Sequence, residues 1–231
     1  MDRLGAVNLL DPRIEAYLRA NAPAADPVRA RMEAYGAQRR FPLIGPLVGA
    51  LCYQYAVAAR ARAVFEMGSG FGYSAWWFAR AVGPGGRVVC TDGDPANRDQ
   101  AEKFLREAGL WERIDYRVGD ACAALAGESG PFDVIFIDVD KEGYPEALDA
   151  AVPRLRDGGL ILTDNTLWNG RVLEAAGAAA DTQGVLEYTR RALAHPALAT
   201  TIVPVRDGLA VSVKLPPAVL QESPWRSTQS N

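Results

Sequence analysis

The chain has 231 residues, 49% of them hydrophobic and 23% charged, with a formal net charge of −3. That composition suits one α/β domain with a full core, and with no basic stripe it gives little support to a nucleic-acid partner. No apolar run is long enough for a membrane span, and the first residues lack a signal peptide's apolar core and small-residue cleavage site.

The pattern opens with helices. Leu10, Ile14, Tyr17 and Leu18 recur at helical spacing, and so do Val28, Met32 and Tyr35, which predicts helices over 10–20 and 27–40. Phe41-Pro42 and Gly45-Pro46 break that pattern before a third helix at about 47–59. From Ala63 short apolar runs alternate with helical stretches. The runs are Val64–Met67, Val88–Thr91, Ile114–Val118, Val134–Ile137 and Leu160–Thr163; the helices are Ser74–Val82, Asn97–Ala108, Ala121–Ala126 and Tyr144–Leu155. Apolar strands separated by helices imply a sheet buried on both faces, hence parallel βαβ units. A helix at about 182–194 precedes two β-rich runs, Thr200–Pro204 and Leu209–Lys214, linked by Arg206-Asp207-Gly208 as in a hairpin. The expectation is a doubly wound, mostly parallel seven-stranded sheet with helices on both faces and an antiparallel hairpin at its end. A single domain spans 1–231, with a helical amino-terminal segment (1–42) and a polar, extended tail (216–231). Cys52, Cys90 and Cys122 form no metal-type pair. An odd count fits a reducing, cytoplasmic setting, with the cysteines as small core residues.

The loop Glu66-Met67-Gly68-Ser69-Gly70-Phe71-Gly72-Tyr73-Ser74 follows a strand and opens a helix. Its glycines let the backbone turn sharply and approach a ligand, and the helix amino terminus offers free N–H groups. The third glycine comes one residue too early for the dinucleotide fingerprint. Glu66 at the strand's end disfavours a phosphate and suits a cation such as the amino group of methionine. Ser74 would serve as a helix N-cap and is compatible with touching the ligand. Asp92, at the end of the second strand, is placed to bind ribose hydroxyls, which identifies a nucleoside without choosing which one. Asp120-Ala121 after the third strand offers either an adenine contact or a helix cap.

Strand four ends Asp138-Val139-Asp140-Lys141 and strand five ends Asp164-Asn165, followed by Trp168-Asn169. Ligands of open parallel sheets sit beyond the strands' carboxyl ends. If strands one, four and five are neighbours, Asp138, Asp164 and Asn165 converge near the glycine loop. Three oxygen donors without His or Cys suit a hard cation, Mg²⁺ first, with Mn²⁺ or Ca²⁺ as alternatives.

EMGSGFGYS, the acid in CTDGD, FIDVDKEGY and LILTDNTLWNGRV resemble the cation-dependent class I O-methyltransferases of the caffeoyl-coenzyme A and catechol type. The resemblance runs from about Leu43 to Lys214 and includes PVRDGLAVSVK. It implies a Rossmann-like fold, S-adenosyl-L-methionine as cofactor, a divalent cation, a small phenolic substrate and a homodimer. It also implies roles. Asp138, Asp164 and Asn165 would ligate the metal, and Lys141 would accept the proton. Trp168 and Asn169 would line the substrate site, and Glu66, Gly68, Ser74, Asp92, Ala121 and Asp140 would contact the cofactor. Val48-Gly49 stands where the family usually has Glu-Gly, and 1–42 has no match.

The expected reaction is methyl transfer to a catechol-like hydroxyl, with two vicinal oxygens chelating the metal and Lys141 as base. Two other readings are weighed. An RNA hydroxyl methyltransferase would want a basic face, which Arg39-Arg40 and Arg190-Arg191 supply weakly. An idle nucleoside-binding module or a dehydrogenase would share the glycine loop. His195, beside Pro196, has no expected catalytic role.

Overall fold

The computed structural model describes residues 10–174, 176–220 and 224. Its centre is one seven-stranded sheet: β1 (Ala63–Met67), β2 (Arg87–Asp92), β3 (Ile114–Val118), β4 (Phe132–Ile137), β5 (Leu155–Thr163), β6 (Leu198–Val203) and β7 (Leu209–Lys214). The order is β3-β2-β1-β4-β5-β7-β6. The first five strands run parallel, and β7 lies antiparallel between β5 and β6. This is the doubly wound sheet with a terminal antiparallel hairpin that the sequence predicts. The chain winds outward in opposite directions from β1 and β4. The loops leaving their carboxyl ends turn to opposite faces of the sheet, and a crevice lies between them.

Among the described residues, helices α1 (Pro12–Ala20), α2 (Pro27–Arg39), α3 (Gly45–Ala58), α4 (Tyr73–Val82), α5 (Pro95–Glu107), α6 (Ala121–Ala126), α7 (Tyr144–Arg154) and α8 (Ala180–Ala194) accompany the sheet. Strand side chains alternate between faces. Val64 and Phe136 pack with Trp77 and Phe78 of α4 and Val48 of α3. Phe65, Met67 and Ile135 pack with Leu125 of α6, Leu148 of α7 and Tyr188 of α8. Both faces are therefore covered, as the apolar strand pattern requires.

The structure moves several expected boundaries. β5 starts at Leu155, five residues early, because Leu155 pairs with Phe132 across a register shift. β3 is an edge strand with no buried residue. Pro217–Leu220 forms a helical turn, α9, where an extended arm is expected. The rest of that tail other than 216 and 224, and residues 1–9 of the amino-terminal segment, lie outside the described residues. α1 buries none of its side chains, and Ile14 and Tyr17 on it are exposed. Among the described residues, no helix is long and apolar enough to cross a membrane.

Candidate active site

A cavity of about 1080 Å³ opens at the carboxyl ends of β1, β2, β4 and β5. Gly68, Ser74, Asp92, Ala121 and Asp140 of the expected cofactor residues line it. So do Asp138, Asp164, Asn165, Lys141, Trp168 and Asn169. Glu66 is the exception. It is fully buried and lies off the cavity wall.

The glycine loop is built by close backbone approaches. Gly68 has φ +87°, and a Cβ there would meet the Asp138 carbonyl oxygen at 2.3 Å. Only glycine lets the loop after β1 cross the end of β4 this closely. The Asp92 carboxylate is already engaged. Its Oδ2 accepts from the Gly70 N–H at 3.0 Å, and its Oδ1 from the Asp94 N–H at 2.8 Å and Asn97 Nδ2 at 3.0 Å. The Tyr116 hydroxyl donates to the Gly70 carbonyl from β3. Asp120 caps α6 by accepting from the Ala123 N–H at 2.7 Å, which leaves Ala121 facing the cavity. The N-cap of α4 is Gly72, not Ser74; Ser74 sits inside the first turn.

Glu66 lies behind this loop. Cys90 Sγ is 3.4 Å from its Oε2, the Ser74 and Ser69 hydroxyls lie alongside, and its Oε1 has no hydrogen-bond partner. Burial pushes its pKa up to about 7, and the three neighbours pull against that rise. The carboxylate therefore reaches the cavity through Ser69 and Ser74, which do line it.

The acid half of the site continues the sheet's hydrogen bonding beyond the strands. The Asp138 N–H donates to Met67 O at 2.8 Å, and the Asp164 N–H to Ile137 O at 3.2 Å. The glycine loop, Asp138 and Asp164 are thus stepped side by side across β1, β4 and β5. Asp164 is buried, its Oδ1 has no hydrogen-bond partner, and burial and then Asp138 raise its pKa to about 7. Burial also raises Asp138, against the pull of Lys141. Lys141 Nζ is 2.9 Å from Asp138 Oδ1 and 2.7 Å from the Tyr144 hydroxyl. Tyr144 in turn donates to the Asp164 carbonyl at 2.9 Å. Two neighbouring carboxylates facing one ammonium, with an orphaned buried oxygen and an amide beside them, fit a hard divalent cation.

Residues 55–215 match the sequence profile of a family described as O-methyltransferase. The chain belongs to the O-methyltransferase family. It is 33% identical over 197 residues to the catechol O-methyltransferase of Mycobacterium tuberculosis, covering 83% of this chain and 88% of that protein. It is 32% identical over 179 residues to the catechol O-methyltransferase of Niastella koreensis, covering 74% and 81%. The crystal structure of the O-methyltransferase from Bacillus cereus in complex with SAH superposes with a TM-score of 0.80 at 26% identity, covering 87% of this chain and 97% of that one. The protein is an S-adenosylmethionine-dependent O-methyltransferase.

The methyltransferase site holds residues that the sequence reading passed over. Asp207, read as a hairpin turn, accepts from Asn165 Nδ2 at 3.3 Å and from the Asn169 N–H. Its carbonyl accepts from the Leu167 N–H at 2.8 Å. The β6–β7 loop therefore props the loop after β5, where Asn165, Trp168 and Asn169 all take left-handed backbone conformations. Tyr144 reads as a helix-start core residue, yet its hydroxyl joins Lys141 to Asp164. Phe41 lines the cavity against Gly70, where an added Cβ would meet its ring at 2.7 Å. Gly184 of α8 packs on the backbone of Lys141; a Cβ there would lie 2.1 Å from the Lys141 carbonyl oxygen. Cys122 is half-buried on the cavity wall, whereas Cys52 and Cys90 are core residues. His195 Nδ1 accepts from the Ala197 N–H at 3.1 Å, away from the cavity.

Proposed function

We propose that this methyltransferase transfers a methyl group to one hydroxyl of a small catechol-like phenol with the help of a divalent cation. The observation that carries the reading is Asp164: a buried carboxylate with a partnerless oxygen, beside Asp138 and Asn165, on the wall shared with the glycine loop. Asp138, Asp164 and Asn165 are the ligands, and Mg²⁺ suits their oxygen set best. When bound, S-adenosylmethionine supplies an electrophilic methyl group, and the cation acidifies and fixes the accepting hydroxyl.

The protein's own groups do the rest. Gly68, Ser74, Asp92, Ala121 and Asp140 hold the cofactor, and Glu66 acts behind Ser69 and Ser74. Trp168 and Asn169 form the substrate wall; the Lys141 ammonium lies 5.5 Å and the Arg171 guanidinium 5.3 Å from the Trp168 ring, so the indole contacts two cations. Lys141 takes the phenol's proton. Its ammonium is stabilised by Asp138. A cation sharing that carboxylate would weaken the ion pair, and Nζ would release one proton to solvent before its lone pair accepts the phenol's.

The names of the curated relatives support a catechol substrate. Arg190 and Arg191 are both paired with Glu187, and Arg191 also with Asp149, which argues against a basic face for RNA. The amino-terminal segment is proposed to serve dimerisation and substrate entry. The test is a methyl-transfer screen over catechols and matched mono-phenols, with and without chelator. Turnover of catechols that vanishes with chelator and returns with Mg²⁺ is expected. Full turnover in excess chelator overturns the metal role.

A further inference from the structure

The cavity wall carries two cations, Lys141 and Arg206. Lys141 is engaged with Asp138 and Tyr144. Arg206 differs. Among the described residues, no carboxylate oxygen forms an ion pair with its guanidinium, and its one hydrogen bond runs from Nη1 to the Leu43 carbonyl at 2.6 Å. Gly45 packs on the same side chain; a Cβ there would lie 3.3 Å from Nη1 and 3.6 Å from Cδ and Cζ. One edge of the guanidinium is therefore seated on the turn before α3. A guanidinium has five N–H donors in a planar fork, so most of its donor capacity is unused.

Three further observations give this cation a purpose. Arg206 is half-buried, so its charge is partly withdrawn from water. Its φ is +48°, a left-handed conformation that Gly or Asn would hold at lower cost. It also lines the same cavity as Asp138, Asp164 and Asn165. The guanidinium thus shares the cavity in which the accepting hydroxyl would bind. Phe41, Pro42, Leu43 and Ile44, which lead from the glycine loop to Arg206, give the cavity an apolar wall on that side.

Resting on the catechol reading of the site, we propose that Arg206 is a specificity-determining residue that binds a carboxylate on the phenolic substrate. The fork matches a carboxylate in a bidentate, charge-assisted geometry that an ammonium cannot reproduce. None of the described acids is hydrogen-bonded to this guanidinium: Asp92 and Asp140 line the cofactor half, Asp138 is ion-paired with Lys141, Asp207 accepts from Asn165 and the Asn169 N–H, and Asp164 is assigned with Asp138 to the cation, whose charge offsets theirs. The preferred substrates are then catechols with an acidic side chain, and neutral catechols of the same shape are poorer.

The test uses the full chain and two matched pairs: 3,4-dihydroxybenzoate with its amide, and 3-(3,4-dihydroxyphenyl)propanoate with its amide. In at least one pair the wild type favours the acid in kcat/KM by about tenfold or more, mainly through KM. Arg206→Gln removes that preference, and Arg206→Lys restores only part of it. An Arg206 that merely latches Leu43 would lower acid and amide by the same factor, which overturns the proposal. So does a wild type with no acid preference in either pair. Calorimetry of the two acids against protein saturated with SAH and Mg²⁺ reads the anchor without turnover. Binding that depends on Arg206, with no methylation of any catechol, overturns the reaction and leaves the anchor standing. Acids that bind wild type and Arg206→Gln equally overturn the anchor. SAH affinity, measured alongside, separates misfolding from loss of the anchor.

Discussion

Lys141 Nζ lies 2.9 Å from Asp138 Oδ1, so the proposed base is ion-paired with a proposed metal ligand. The pair is mostly withdrawn from solvent; the lysine side chain is 11% exposed. The Tyr144 hydroxyl holds the ammonium from another side and bonds to the backbone of Asp164. The turn after β4 and the end of β5 are thereby tied through one phenol.

Lys141→Ala is expected to lower kcat by about 10²-fold or more while SAH affinity stays nearly intact. Lys141→Arg does not rescue, since guanidinium keeps its proton. A nitrocatechol, whose hydroxyl ionises more readily, loses less than catechol in the alanine variant. Equal losses on both substrates would mean that Lys141 only stabilises the phenolate. Tyr144→Phe removes a buried donor from the Asp164 carbonyl. It costs stability of about 1–3 kcal/mol, read by denaturant unfolding.

Glu66 and Asp164 predict how the ligand-free protein responds to pH. Both folded-state values are raised to about 7, from ordinary values of 4.5 and 3.8. A raised carboxyl binds its proton more tightly when folded. Its stabilising effect is complete below the unfolded value and is lost as pH rises towards 7. Stability should therefore fall between about pH 4 and pH 7, with Glu66 alone contributing about 3 kcal/mol. Asp133 and Glu187, held low by arginines, act oppositely, but only below their ordinary carboxylate values. Glu66→Gln should flatten the fall, and Mg²⁺ should reduce the part due to Asp164. Melting temperatures across that range check this; a flat wild-type profile would refute it.

The amino-terminal helix predicts assembly. α1 has no buried side chain, and Ile14 and Tyr17 are 52% and 67% exposed. Tyr53 and Val57 of α3 are exposed as well. A nine-residue helix has little stability of its own without packing. A second copy related by a two-fold axis is the expected cover. Light scattering at micromolar concentration should give a dimer, and Tyr17→Glu with Ile14→Glu should shift it to monomer. A wild-type monomer would remove the idea.

The sheet was legible because its strands are apolar runs with helices between them, and parallel pairing then brings β1, β4 and β5 together. The metal-type cluster follows from that order, since Asp138, Asp164 and Asn165 each close a strand. Other features depended on contacts that no local pattern encodes. Arg156-Asp157-Gly158-Gly159 reads as a loop, yet Arg156 Nε reaches Asp133 Oδ1 at 2.5 Å and the segment extends β5. Glu66 ends its strand as expected, but faces Cys90 and α4 rather than the crevice. Arg206 and Asp207 carry the signature of a hairpin turn, and only the insertion of β7 beside β5 delivers that turn to the site.

Asp207 supplies the last prediction, which tests whether that turn supports the metal site. Asn165 has φ +55°, a conformation Asn tolerates better than most side chains. Its Nδ2 donates to Asp207 at 3.3 Å, which leaves the amide oxygen as the end available to a cation. Asp207 also receives the Asn169 N–H, so one carboxylate fixes both a proposed ligand and a substrate-wall residue. Asp207→Leu removes both acceptors and lets the Asn165 amide turn over. Loss of such a supporting partner typically weakens metal binding about 10–100-fold. Mn²⁺ affinity, read by electron paramagnetic resonance, should fall on that scale. SAH affinity should change little, because the glycine loop and Asp92 are held by β1, β2 and β3. Asp207→Asn keeps an acceptor oxygen but adds a competing donor, and should fall between the two. If Mn²⁺ binds Asp207→Leu as tightly as wild type, Asp207 merely shapes the hairpin turn, and Asn165 either orients itself or is not a ligand.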